Sequence, residues 1–476
     1  MYTDLDLRHA HDVVANSGYP LELVTEPGPG GCPHWEIEFD QAGELVHDGG
    51  LTRAVWQGGP TDLFVFSPGW NTGRDSAREL SNAMFGLIAD ALPPARRSST
   101  GFVTVLWPSL LFPEDEPAAD GPVLTGPAAA LGPNDLTPLV AAPKPSIGAE
   151  LVAALTPAFP EQYDDLVRIG ELLDTRPREM GRLAELHRLA SCLVTTPNQA
   201  VDDDGESIAR TARTRVALES LAMLAPGAGD GLGDQFGTLW NGGRELARVL
   251  SYYEMKNRAG LIGQAGLGPL LDRLHRGSPG LRVHLMGHSF GARLIAFALA
   301  GLPSSVTPVK SLVAVQGAFS HFSFASELPV APSRAGALAE FARRVDGPLL
   351  ATFSTADRAL GWWYPNASAL VSQNDRGRRS ASARELGYRW GALGHDGYQQ
   401  RAVVSRRLEP AGSWYDWQAG SFYRMDANLV INRDLSWLAG AHSDIRKPEL
   451  AWAAVSAAGL TSPPPRDPGH RRGAPA

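Results

Sequence analysis

Short, nearly all-apolar runs alternate along the chain with longer amphipathic stretches. Leu63-Phe64-Val65-Phe66 and Leu312-Val313-Ala314-Val315 show no polar alternation, which is how strands buried on both faces read. The pattern predicts strands at Trp35–Asp40, Leu51–Trp56, Asp62–Ser67, Phe102–Trp107, Arg282–Met286, Ser311–Gln316, Leu349–Phe353 and about Met425–Asn432. The first two straddle Gly43 and are expected to form an antiparallel edge pair. Strands alternating with helices define an α/β fold: a mostly parallel central sheet of about eight strands, with helices on both faces.

The alternation breaks between residues 109 and 240. Pro, Ala and Gly dominate residues 108–145, where the apolar positions show no period. Amphipathic helical patterns return at about Glu161–Asp174, Arg178–Val194 and Glu206–Ala225. The expected division is therefore a core of residues 1–108 and 241–461 and a Pro-rich linker plus helical insertion over 109–240. Residues 462–476 form a tail with Pro463-Pro464-Pro465, expected to be disordered. The insertion leaves the core after its fourth strand. It is placed either to cover a site at that sheet edge or to decorate a distant face.

Composition narrows the function. The chain has 476 residues, 43% of them hydrophobic and 20% charged, with mean hydropathy −0.15, as expected of a globular protein. A net charge of −8 and the lack of a basic stripe argue against a nucleic-acid partner. No apolar run is long enough to span a bilayer, and Met1–Asp6 lacks the basic and apolar regions of a signal peptide, so a cytoplasmic location is expected. Cys32 and Cys192 form no C-x-x-C pair; both are expected to be buried structural thiols, with no metal site.

One stretch carries chemistry. Leu281-Arg-Val-His-Leu-Met286 runs into Gly287-His288-Ser289-Phe290-Gly291 and then Ala292–Ala300, a strand, a G-x-S-x-G pentapeptide and a helix with nothing between. A sharp strand-to-helix turn lifts a serine hydroxyl above a sheet, and the glycines two positions either side avoid a clash. The helix N-terminus favours developing negative charge. The pentapeptide alone is a weak signal in a chain this rich in glycine and serine, so its placement carries the weight.

Residues 281–300 resemble the nucleophile elbow of the α/β-hydrolase superfamily, particularly its serine esterase and lipase branch. The resemblance extends through 62–107 and 310–442 but not into the insertion. It implies an α/β-hydrolase fold, Ser289 as nucleophile, and an oxyanion hole built from the backbone N–H groups of Phe290 and of Trp70, in Ser67-Pro68-Gly69-Trp70. That loop departs from the family's usual His-Gly, and a plain Pro-Gly turn is the alternative. The family's chain order of Ser, acid, His points to Asp357, after Leu349–Phe353, and to His442 in Gly440-Ala441-His442-Ser443-Asp444. Glu327 is the weaker acid, and the alternative for Asp357 is the cap of a helix beginning at Arg358. Of the other histidines, His321 precedes the acid and His470 lies in the tail. His395, in an apparent exposed turn, is the rival base.

The resemblance thus implies a serine hydrolase that cleaves a carboxylic ester or related acyl bond in a small-molecule substrate, without cofactor or metal. A non-catalytic scaffold, and a thioesterase, peptidase or acyltransferase using the same residues, remain alternatives. Gly260–Gly268 follows a helical segment rather than a strand, so close helix packing fits it better than a phosphate loop. Asp202-Asp203-Asp204-Gly205 lacks calcium-loop spacing. Trp362-Trp363-Tyr364 and Trp414-Tyr415-Asp416-Trp417 are read as core or as the wall of an acyl pocket.

Overall fold

The structure, a computed structural model, describes residues 28–69, 73–109, 146–198, 209–223, 234–303, 305, 308–329, 331–363, 388–389, 391–435 and 440–461. The expectations for Trp70, for most of the Pro-rich linker, for Asp202–Gly205, for the Trp362 and Trp363 side chains and for the tail fall outside these residues.

Among the described residues nine strands form one sheet: β1 (His34–Phe39), β2 (Leu45–His47), β3 (Asp62–Ser67), β4 (Thr100–Leu106), β5 (Arg282–His288), β6 (Val309–Val315), β7 (Leu349–Phe353), β8 (Val403–Arg407) and β9 (Phe422–Asp426). Their order is β2-β1-β4-β3-β5-β6-β7-β9-β8. Every pair is parallel except β1 with β2.

The apolar runs fill both faces. Leu63 and Val65 of β3 enter one buried cluster and Phe64 and Phe66 the other, because successive strand side chains point to opposite sides. On the first face lie α1 (Leu51–Trp56), α7 (Gln235–Ile262), α8 (Gly268–Gly277) and α9 (Phe290–Gly301); on the second, α2 (Arg74–Ala91) packs with α10 (Pro448–Ala457). No helix among the described residues is long and apolar enough to cross a membrane.

Three expectations about strands change. Leu51–Trp56 is helix α1, not a strand: Leu51 and Val55, four residues apart, are its buried side chains. The Asp48 carboxylate accepts from Gly50 and Thr52 N–H groups at 2.9 and 3.3 Å, a local cap that competes with strand pairing. The true antiparallel partner of β1 is the three-residue β2. The ninth strand, β8, lies at the opposite edge, where Ser405, Arg406 and Arg407 face water and give no apolar signature. The last inner strand is Phe422–Asp426, and it ends early because Asp426 Oδ1 accepts from Asn428 N at 3.0 Å.

The insertion supplies α3 (Ile147–Leu155), α4 (Tyr163–Thr175), α5 (Met180–Ser191) and α6 (Thr214–Ala222). Of these, α4, α5 and α6 pack on α7, while α3 packs on α4; α7, a 28-residue helix that crosses the expected boundary at residue 240, packs in turn on α9. Insertion and core therefore share one continuous apolar cluster. The glycines at 260–268 serve close packing, as expected: a Cβ at Gly263 would stand 2.1 Å from the Leu294 carbonyl oxygen of α9. Cys32 is buried, and burial pushes its thiol pKa up, but Cys192 is exposed at the end of α5, contrary to expectation.

Buried histidines predict how stability responds to acid. His187 is held between Thr214 Oγ1 and the Ala209 carbonyl. His284 lies between Ser311 Oγ and Asp62 Oδ1 at 3.0 and 3.1 Å. Burial is the main cause that lowers both pKa values, and it takes that of His288 to about 3. An unfolded histidine titrates near 6.5, so below that pH the unfolded chain gains protons that these folded sites refuse. Their stabilisation is present in full above about pH 6.5 and is lost as the pH falls toward the folded values. His395, raised mainly by its bond to Asp396, acts in the opposite sense. With three lowered against one raised among the described histidines, thermal midpoints are expected to drop steadily from pH 7 to pH 4. A midpoint that is flat or rising over that interval would contradict this.

Candidate active site

Strand β3 is flanked by β4 on one side and β5 on the other, so the chain changes direction across the sheet at this point. In open α/β sheets the crevice outside the carboxyl ends of such strands is where ligands bind. Ser289 follows β5 directly, and Pro68-Gly69 follows Ser67, the last residue of β3.

Ser289 caps α9 with φ 55° and ψ −121°, a conformation that costs a non-glycine residue about 1–3 kcal/mol. Its surroundings over-determine it. The Ser289 N–H donates to the Val315 carbonyl, and its own carbonyl accepts from Ala292 and Ala318, each at 3.1 Å. The flanking glycines permit the turn: a Cβ at Gly287 would lie 2.4 Å from the Gly291 carbonyl oxygen, and one at Gly291 would lie 2.0 Å from that of Ser67. Gly291→Ala is therefore expected to cost about 3 kcal/mol or more in chemical denaturation, since backbone has no room to yield. Gly86→Ala, mid-helix and with nothing within 4 Å of the new Cβ, should stabilise by about 0.5–1 kcal/mol. Equal midpoints for the two variants would remove this account of the turn.

The structure brings Ser289, His442 and Asp357 together. His442 Nε2 is 2.8 Å from Ser289 Oγ, across 153 residues of chain, and His442 Nδ1 is 2.7 Å from Asp357 Oδ2. The carboxylate only accepts, so Nδ1 carries the ring proton and the Nε2 lone pair faces the serine hydroxyl. Asp357 is fully buried, and Leu360 N–H donates to its Oδ1 at 3.1 Å. An isolated antiparallel bridge, Asp357 with Gly440, and a bond from Ala441 N–H to the Ala356 carbonyl lock the two loops side by side.

The β3 loop lies against the serine. A Cβ at Gly69 would stand 2.7 Å from Ser289 Cβ, so only glycine lets this backbone come so near. Trp107 Nε1–H donates to the Pro68 carbonyl at 3.2 Å and pins the loop. Phe290 is fully buried at the first position of α9, with its ring 4.7 Å from that of Tyr252 on α7.

The other candidates are placed elsewhere. His395 is half-buried rather than freely exposed; its Nδ1 meets Asp396 Oδ1 at 2.7 Å. His321 is buried, with Nδ1 2.8 Å from Asp396 Oδ2 and Nε2 2.9 Å from the Tyr388 carbonyl. Burial tends to raise the pKa of Asp396, but the bonds from these two imidazoles outweigh it and hold the carboxyl well below its usual range. Glu327 forms a surface ion pair with Arg401. Tyr415 stacks on Trp417, which meets Tyr423 edge-on beside α10, so these aromatics are core and Trp414 is half-exposed. Among the described residues no group of three or more His, Cys, Asp and Glu is placed to hold a metal ion.

Two residues escaped the sequence reading. His288, inside the pentapeptide, donates from Nε2 to the His442 carbonyl at 2.9 Å, which ties the serine turn to the His442 loop. Its ring is buried 4.9 Å from that of His442; burial first, and then electrostatic repulsion between the two imidazoles, hold its pKa down to about 3. Gln316 follows β6 and donates from Nε2 to Asp357 Oδ2 at 2.9 Å. The available signal was a polar side chain closing an otherwise apolar run at the carboxyl edge of the sheet.

Fold and geometry together define an α/β protein with a Ser-His-Asp array at the switch point of a nine-stranded, mostly parallel sheet. Comparison with protein-family models, curated proteins and solved structures gives no match for the chain.

Proposed function

We propose that the protein is a serine hydrolase that cleaves a carboxylic ester, or a related acyl bond, through an acyl-enzyme on Ser289. The observation that carries this reading is the hydrogen-bonded line from Ser289 Oγ through His442 to buried Asp357, with the serine held on a strained turn at a helix N-terminus. A nucleophile within hydrogen-bond reach of a base, itself oriented by a third group, is the arrangement that acyl transfer needs.

In this reading Ser289 Oγ attacks the acyl carbon as its proton passes to His442 Nε2. The tetrahedral oxyanion faces the N–H of Phe290 and the backbone of the β3 loop, where each donor is worth about 3 kcal/mol to the transition state. Collapse expels the alcohol, which takes the proton from His442. Water then repeats the sequence: its proton goes to His442, its oxygen to the acyl carbon, and Ser289 Oγ leaves with that proton as the acid departs. Asp357 keeps the Nδ1–H tautomer and stabilises the imidazolium. The strained serine supports the reading further, since such outliers persist where function requires them.

Incubation with a fluorophosphonate, followed by peptide mapping, tests it. One adduct on Ser289 and turnover of p-nitrophenyl esters are expected. An unmodified Ser289, under conditions that label a known serine esterase, would favour a scaffold without catalysis.

A further inference from the structure

We propose that Gln316 is the positioning residue of this site: its side-chain amide fixes the Asp357 carboxylate, and through it the tautomer and aim of His442. The inference rests on the hydrolase reading of Ser289, His442 and Asp357.

The amide has a single consistent orientation. Nε2 has two protons and two acceptors, Asp357 Oδ2 at 2.9 Å and the Gly394 carbonyl at 3.0 Å. Oε1 accepts from Thr352 Oγ1 at 3.2 Å, and Thr352 Oγ1 in turn accepts from the Gln316 N–H at 3.1 Å. Flipping the amide would set Oε1 against two acceptors, so the network admits one assignment only. Gln316 is fully buried, where an unsatisfied polar group costs about 1–3 kcal/mol. It also sits at φ 45°, outside the ordinary regions for a side-chain-bearing residue. A packing role would require neither the amide nor that backbone.

The amide does what the backbone alone does not. Asp357 Oδ1 is held by Leu360 N–H, from its own turn. Oδ2, the oxygen that meets His442, is shared with Gln316 from a neighbouring strand. The second Nε2 proton extends this to Gly394, whose carbonyl also accepts from Ser354 N–H and whose N–H donates to the Gly317 carbonyl. The ends of β6 and β7 and the turn opening at Gly394 thus meet on one side chain. Among the described residues the titratable groups around it are Asp357 and His442, with His395 and Asp396 on that turn and His321 behind Asp396. Thr352, Ser354 and Leu360 bring no charge.

Gln316→Glu gives the amide's shape with a titratable oxygen. When protonated it donates to Asp357 as the amide does; when ionised it sets two carboxylates against each other, so they share a proton. The ratio of this variant's activity to wild type is expected to approach one at low pH and to fall as pH rises, whereas the wild-type rate itself rises as an imidazole base becomes neutral. Gln316→Met keeps bulk without donors and should slow Ser289 phosphonylation about tenfold to a hundredfold at every pH, as expected when a reacting group loses its aim.

The experiment combines these rates with the downfield proton resonance of His442 Nδ1–H, which needs no turnover. The resonance should be sharp in wild type, shifted or lost in Gln316→Met, and unchanged in His395→Ala. Thr352→Val, which leaves Nε2 in place but frees Oε1, should give an intermediate effect and serves if Gln316→Met fails to fold. A Gln316→Glu pH profile parallel to wild type, or a His442 resonance insensitive to Gln316→Met or Thr352→Val, overturns the inference. A wild-type protein that shows the resonance but takes no phosphonate at Ser289 defeats the hydrolase reading instead.

Discussion

Ser289→Ala is expected to abolish both phosphonate labelling and ester cleavage, with turnover falling on the order of 10⁵- to 10⁶-fold. Losses of that size follow removal of one member of a nucleophilic unit, because the remaining members have nothing to activate. Residual rate over water of about 10³- to 10⁴-fold should survive from the oxyanion donors and substrate binding. The fold should be kept. Among the described residues Ser289 Oγ hydrogen-bonds to His442 alone, and the turn is held by backbone bonds that alanine retains. Thermal unfolding within a few degrees of wild type, together with lost labelling, is the expected pair of results. Labelling that persists at full rate in the variant would transfer the nucleophile elsewhere.

The second large effect separates two histidines. His442→Ala should lower turnover by a similar factor, because Nε2 is the only imidazole nitrogen among the described residues within bonding distance of Ser289 Oγ. His395→Ala should change turnover less than about tenfold, since its Nδ1 is committed to Asp396 on a separate turn. It should instead lower stability at acidic pH. Its raised pKa means that the folded site holds a proton more tightly than the unfolded chain does, a stabilisation present below about pH 6.5 and lost as pH rises through the folded value. Parallel pH-rate and pH-stability measurements on both variants check this. An inactive His395→Ala with an active His442→Ala would exchange the two assignments.

Much of this arrangement is local in origin, and local features are what a sequence displays. The turn at Ser289 needs Gly287 and Gly291 because of clashes within a few residues and with the adjoining β3 loop, so strand, pentapeptide and helix appear side by side in the chain. The strands of the sheet's interior betray themselves because both faces are buried, which leaves runs such as Leu63–Phe66 without polar positions. Signals weaken at the sheet's margins. Leu51–Trp56 has strand-like residues yet is a helix, because the Asp48 cap and a one-sided burial pattern decide it. Strand β8 is half polar because an edge needs no second apolar face.

By itself, then, the chain determined the α/β alternation, the serine turn and a short set of acids and bases in a plausible order. Which members of that set meet was decided by tertiary structure. Asp357 and His442 lie 85 residues apart, and their approach depends on the bridge between Asp357 and Gly440 rather than on anything near either residue in sequence. The same holds for Gln316, whose two acceptors come from different turns, and for His288, whose partner is a carbonyl that any residue could supply. A backbone acceptor leaves no mark in composition or spacing. A contact between distant segments exists only once the strand order β3-β5-β6-β7 has set their loops along one edge of the sheet.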